Sequence, residues 1–195
     1  VTPRVARARN AGTTSQIHML LGSPRVTHLV AHRGNAADCP ENTLQSVRSA
    51  CALGVRFVLL DVQLAADEVP VLSRDAVLAR TAGVEASVFD LTARELAQLD
   101  ASEPGRFGDA AHGASIPTLA QVATLCTEDP ALTLLLELRR ESLARFGAEV
   151  VVGRVHEALR GVRGQCVLVA RDLGAMDLAR GRGGTRVGWV LPAYD

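Results

Sequence analysis

Apolar runs alternate along the chain with segments of helical periodicity. Five runs read as buried strands: His28 to His32, Arg56 to Val62, Leu132 to Arg139, Gln165 to Ala170 and Arg186 to Leu191. Strands covered on both faces need apolar side chains at nearly every position, and these blocks have them. Between them, Leu44, Val47 and Cys51 fall on one helical face, with Gly54 placed to stop the helix. Leu143, Phe146, Val150 or Val151, Val155 and Leu159 mark one longer amphipathic helix. Thr92 with Glu95, and Thr118 with Gln121, have the spacing of capping boxes, and Leu91 with Leu96 fits a hydrophobic staple. The alternation predicts βαβ units and a mostly parallel sheet.

Residues 65–117 interrupt this rhythm. A short strand at Val69 to Ser73, a short helix and a Gly-containing loop at Gly105 to Ile116 read as an insertion after the second strand. Residues 1–27 read as a disordered leader, with Met19 as the natural start, and residues 28–195 as one domain.

Composition narrows the function classes. The chain has 195 residues, 48% of them hydrophobic, which suits one well-buried domain. Acidic and basic residues number 21 each, so no global field draws nucleic acid or an anionic membrane, and any anion site must be local. Nothing in the aromatic content, Trp189, Tyr194 and four phenylalanines, supports nucleic-acid binding either. All the basic residues are arginine, read as a base-composition bias. No run approaches the roughly 18 apolar residues of a membrane span. Cys39, Cys51, Cys126 and Cys166 lack zinc-site and disulfide-framework spacing, so reduced thiols in a cytoplasmic protein are expected, with Cys39 an incidental small residue.

The candidate chemistry starts at His32-Arg33-Gly34, followed by Pro40-Glu41-Asn42-Thr43. These residues leave the first strand, where enzymes built on parallel sheets place their reacting groups. Alternation along a strand puts Phe57, Leu59 and Asp61 on one face, and Glu137 and Arg139 on one face of a later strand. If both faces line a barrel mouth, Asp61 and Glu137 approach each other and His32, Arg33 and Glu41. Clustered carboxylates suit a hard divalent cation, Mg²⁺ or Ca²⁺.

With Asp61-Val62, Val69-Pro70-Val71, Asp75, Arg80-Thr81, Ile116-Pro117-Thr118-Leu119 and Glu137 added, the chain resembles the glycerophosphodiester phosphodiesterase family from about His28 to Asp195. The resemblance implies an α/β fold of TIM type with a small insertion after the second strand. It also implies hydrolysis of glycerophosphodiesters to glycerol 3-phosphate and an alcohol, using a divalent metal and two histidines as general acid and base. By resemblance, His32 and Arg33 are catalytic, and Asp61, Glu137 and Glu41 belong to the metal site. Arg33, Asn42 and Arg139 bind the substrate phosphate.

Two positions depart from that pattern. Leu59 stands where the family carries a metal-ligating glutamate, and Arg74 where it carries the second histidine. Leucine cannot ligate a cation, and a guanidinium stays protonated at any working pH. Arg139 replaces a lysine and keeps its charge. A full barrel typically takes about 250 residues, so about five of eight strands are expected, with open edges that a homo-oligomer would cover. Hydrolysis is therefore expected to be weakened or lost. The alternatives are a phosphoester-binding remnant using Arg33, Arg74 and Arg139, or a self-associating remnant. His112 reads as a surface loop residue.

Overall fold

Phe57–Leu64 is the longest strand, β2, and its alternation shows how the sheet is used. Val58, Leu60, Val62 and Leu64 are fully buried under helices, while Phe57 and Leu59 on the opposite face are half-buried. The structure is a computed structural model and describes residues 28–191; the proposed leader and start at Met19 lie outside the described residues. The strands flanking β2 are β1 (Val30–His32) and β4 (Thr133–Leu138), and the sheet continues through β5 (Cys166–Ala170) to β6 (Arg186–Trp189). The order β1-β2-β4-β5-β6 is parallel throughout, and β3 (Pro70–Leu72) pairs antiparallel with β2 off this path.

Helices cover one face of this sheet. They are α1 (Leu44–Ala52), α5 (Leu119–Glu128), α7 (Ala148–Ala158) and α8 (Leu173–Gly181). Val47, Val122, Val151, Val155 and Met176 project from them onto Leu60, Leu134, Leu136 and Leu168 in one continuous core. Each fully buried leucine contributes about 1.5–3 kcal/mol relative to exposure. The opposite face is a departure from strands covered on both sides. β4 alternates half-buried with buried positions, and Val30 is 49% exposed. Among the described residues the five parallel strands form an open sheet, and the inner face, with Phe57, Leu59 and Leu135, stays partly open to solvent.

The insertion between β2 and α5 has its own small core of Val71, Leu78, Val88, Leu96 and Ile116. Three short helices build it: α2 (Ala79–Ala82), α3 (Ala93–Leu96) and α4 (Pro104–Phe107). Both capping boxes form, at Thr92 with Glu95 and at Thr118 with Gln121. The single long helix from Leu143 to Leu159 does not form. It divides into α6 (Arg140–Phe146) and α7 at Gly147, whose φ of 81° and ψ of 151° cannot continue a helix. Apolar spacing survives such a break, because both helices lay their stripes on the same core.

Candidate active site

The loop leaving β1 is bent by two consecutive left-handed residues, Arg33 (φ 61°) and Gly34 (φ 78°). Arg33 N–H donates to the Leu59 carbonyl at 2.6 Å, and the Arg33 carbonyl accepts from Asn42 N at 3.1 Å. The same carbonyl accepts from Ser46 Oγ at 3.0 Å. Thr43 caps α1, its side chain accepting from Ser46 N while Ser46 Oγ accepts from Thr43 N. The turn is therefore clamped against the first turn of α1, and the Arg33 side chain is directed inward, 12% exposed.

Asn42 is a third left-handed residue (φ 57°), and it is buried. Its side chain grips Asp61 twice, with Nδ2 donating to Oδ2 at 3.1 Å and Oδ1 accepting from Asp61 N at 3.0 Å. Residues in sparsely populated backbone regions persist where surrounding contacts over-determine them, and such strain concentrates at functional sites. Arg33, Asn42 and Glu103 are three of the four positive-φ non-glycine residues here.

Asp61, 1% exposed, is paired in register with Glu137 across β2 and β4. Arg139 Nη1 lies between their carboxylates, 2.9 Å from Glu137 Oε1 and 3.4 Å from Asp61 Oδ1. Arg33 Nε is 2.9 Å from Asp61 Oδ2 but is turned off the line of a hydrogen bond, so that contact is coulombic. Two guanidiniums thus neutralise the carboxylates that the spacing brought together. Arg33 Nε and Arg139 Nε are both buried and have no hydrogen-bond acceptor among the described residues.

Glu41 belongs to a second cluster. Its side chain is 6% exposed and accepts from Arg33 Nη1 at 2.9 Å and Arg80 Nη2 at 2.5 Å. Its backbone N–H donates to Glu103 Oε1 at 2.6 Å, a contact 62 residues apart in sequence. Glu103 is 1% exposed and also accepts from Arg106 Nη1 at 2.6 Å, while Arg106 Nη2 donates to the Ala36 carbonyl at 2.5 Å. α4 of the insertion therefore holds the β1 loop at two points. Arg80 stood within a recognised segment, but Glu103 and Arg106 carried no sequence signal, because nothing local to them encodes a partner so distant.

Burial acts to raise the Glu41 pKa, but hydrogen bonds and charge from Arg80 and Arg33 outweigh it and hold the carboxyl below its ordinary 4.5. A carboxyl lowered in the folded state stabilises it above the unfolded value, and that contribution is lost as pH falls through the folded value. Glu41→Gln is thus expected to lower the Tm at pH 7 and to shrink the fall in Tm between pH 7 and pH 3. Circular-dichroism melts read both, and an undiminished acid-induced fall in the variant would remove Glu41 as the cause.

His32 is exposed at the end of β1, beside Leu59 in register, and Leu59 is flanked on its other side by Leu135. Arg74, 46% exposed in its side chain, borders both Glu41 with Asn42 and Glu137 with Arg139. His112 is outside this group, with Nδ1 2.6 Å from Asp100 Oδ2 and its side chain 78% exposed. Cys39 is buried, and all four cysteines are free. As placed here, this donor set is a poor one for a divalent cation. Among the described residues no group of three His, Cys, Asp or Glu is placed to hold a metal, Leu59 supplies no oxygen, and Arg139 bridges the two carboxylates that remain.

With this geometry in view, residues 32–161 match the model of the glycerophosphoryl diester phosphodiesterase family. The chain is 39% identical over 99 residues to a glycerophosphodiester phosphodiesterase of Caldanaerobacter subterraneus, covering 51% of this chain and 40% of the relative. Similarity to glycerophosphodiester phosphodiesterase 1 of Rattus norvegicus is 36% identity over 97 residues, 50% of this chain and 29% of the relative. The chain thus spans well under half the length of these two curated relatives. Among solved structures, an Oleispira antarctica phosphodiesterase in complex with the product sn-glycerol-3-phosphate superposes with a TM-score of 0.72 at 28% identity, covering 84% of this chain and 64% of that one. A Thermotoga maritima glycerophosphodiester phosphodiesterase gives 0.64 at 25% identity, covering 86% and 64%. The parallel sheet, its helix layer and the insertion after the second parallel strand agree with an incomplete TIM-type barrel, and the chain belongs to the glycerophosphodiester phosphodiesterase family.

Proposed function

We propose that this chain recognises glycerophosphodiesters at the mouth formed by β1, β2 and β4, and that its hydrolysis of them to glycerol 3-phosphate and an alcohol is strongly weakened. The observation that carries the reading is the pair of buried Nε–H groups of Arg33 and Arg139, which lack acceptors among the described residues. Charge-assisted N–H donors of this kind suit phosphoryl oxygens. Arg33 and Arg139 hold the phosphate, Asn42 and Asp61 fix Arg33, and Glu41 with Arg80 fixes the loop. His32 gives a proton to the leaving alkoxide. Arg74 adds positive charge and cannot exchange a proton. A Mg²⁺ or Ca²⁺ ion would meet Asp61, Glu137 and a competing guanidinium, and is held weakly in this reading.

Purified protein with Mg²⁺ or Ca²⁺ is expected to release glycerol 3-phosphate from glycerophosphocholine about 10²- to 10⁴-fold more slowly than an intact family member, the usual cost of one missing acid or base. A rate equal to that of an intact relative would overturn the assigned roles of Leu59 and Arg74. The bridge that Arg139 makes between Asp61 and Glu137 favours a second reading, a phosphoester-binding protein without turnover. Binding in calorimetry with no release above an Asp61→Ala control selects it. A cytoplasmic location and self-association over the open sheet edges belong to the same proposal. The location is supported by the four free thiols, and self-association by the half-exposed inner face. No helix among the described residues is long and apolar enough to cross a membrane.

A further inference from the structure

A cavity of about 500 Å³ opens beside the mouth, between the C-terminal ends of β4 and β5 and the first turns of α6 and α7. It lies within the range typical of small-molecule sites. Glu137 and Arg139 form the wall it shares with the mouth, and Leu143, Ala144 and Ala148 give it an apolar side. Arg74, Arg140 and Arg171 bring further guanidiniums to it.

The charges in this cavity do not cancel. Glu137 is already engaged by Arg139 Nη1 at 2.9 Å, and Glu141 by Arg140 Nε at 3.3 Å. Asp172, the remaining carboxylate of the lining, caps α8, its Oδ1 accepting from Ala175 N at 2.8 Å. Asp75 is taken by Arg80 at 2.7 Å and leaves Arg74 at 4.0 Å, beyond hydrogen-bond reach. The Arg171 side chain makes no ion pair among the described residues. The two backbones are nonetheless held, the Arg74 carbonyl accepting from Gln63 Nε2 at 3.3 Å and the Arg171 carbonyl from Trp189 Nε1 at 3.2 Å. Arg171, with no ion pair among the described residues, and Arg74, whose one acid partner is the shared Asp75 at 4.0 Å, are thus presented on fixed backbones at the end of the phosphate site.

We propose that this cavity takes the alcohol portion of the phosphodiester and selects for an alcohol that itself carries a phosphate. This rests on the phosphoester reading above and names the substrate class within it. Arg74 and Arg171 engage the second phosphate through paired N–H donors, while the excess of guanidiniums over carboxylates in the lining disfavours a quaternary ammonium such as choline.

Calorimetry of the full chain in EDTA against glycerophosphocholine, glycerophosphoglycerol and glycerophosphoinositol 4-phosphate tests this with a cationic, a neutral and an anionic alcohol. The anionic compound is expected to bind at least about tenfold more tightly than glycerophosphocholine, as hydrogen bonds to charged groups allow. In Arg171→Ala the ratio of the two affinities is expected to fall by about fivefold or more, and in Arg171→Glu to fall further. Arg171 is exposed, so neither change threatens the fold. Equal binding of all three compounds, or a preference that survives Arg171→Glu, would overturn the selectivity and leave phosphoester recognition standing. Binding of none of them would overturn recognition itself.

Discussion

Replacing Leu59 by glutamate and Arg74 by histidine in one chain is expected to raise release of glycerol 3-phosphate from glycerophosphocholine by about 10²- to 10⁴-fold over the parent in Mg²⁺ or Ca²⁺. The inner face of β2 places residue 59 two positions before Asp61, on the same side of the sheet and about 7 Å away along the strand. A carboxylate there would add a third oxygen donor beside Asp61 and Glu137, the donor type that a hard cation prefers. Histidine at 74 borders the same residues as Arg74 and adds the titratable group that arginine cannot be. Both changes act on one step, so each alone recovers much less than the pair. Calorimetry with Mg²⁺ and a coupled assay for glycerol 3-phosphate separate the two contributions. A double variant that binds Mg²⁺ tightly and still gains less than tenfold would place the defect elsewhere in the chain.

Gly34→Ala is expected to destabilise the protein by about 2–5 kcal/mol, combining the left-handed penalty with overpacking against a fixed neighbour. A Cβ at Gly34 would stand 2.3 Å from Ser46 Oγ and 2.6 Å from the Ser46 carbonyl carbon, with φ at +78°. Ser46 cannot retreat, because it is fully buried, belongs to the cap of α1 and donates to the Arg33 carbonyl. Displacing the turn also swings Arg33 away from Asp61 and Glu41, so phosphoester binding falls along with stability. Gly54→Ala is the matched control. Its φ of +84° is equally left-handed, but nothing lies within 4 Å, so only the backbone penalty of about 1–2 kcal/mol applies. Thermal melts of the two variants should differ by several degrees. Equal losses would show that the contact with Ser46 contributes nothing.

Much of the architecture was legible in the chain because its signals are local. The apolar blocks located the five parallel strands to within a few residues, since parallel strands bury at least one full face whatever surrounds them. Thr92 with Glu95 and Thr118 with Gln121 start helices wherever they occur, because their partners are three residues away. The pairing of Asp61 with Glu137 followed from alternation once the two strands were neighbours. The break at Gly147 was missed because an apolar stripe reports which face is buried and is blind to a change of helix axis.

By itself, the sequence determined the order of strands and helices, the capped starts, the family blocks and the presence of leucine at 59 and arginine at 74, all carried by residue type and short-range spacing. The tertiary structure alone decided what the surviving charges do. Arg139 neutralises Asp61 and Glu137, Glu41 turns to Arg33 and Arg80, and Glu103 with Arg106 ties the insertion to the β1 loop. Coulombic and hydrogen-bond partners are chosen by distance in space, and chain closure can bring residues 62 or 78 positions apart into contact without a local trace.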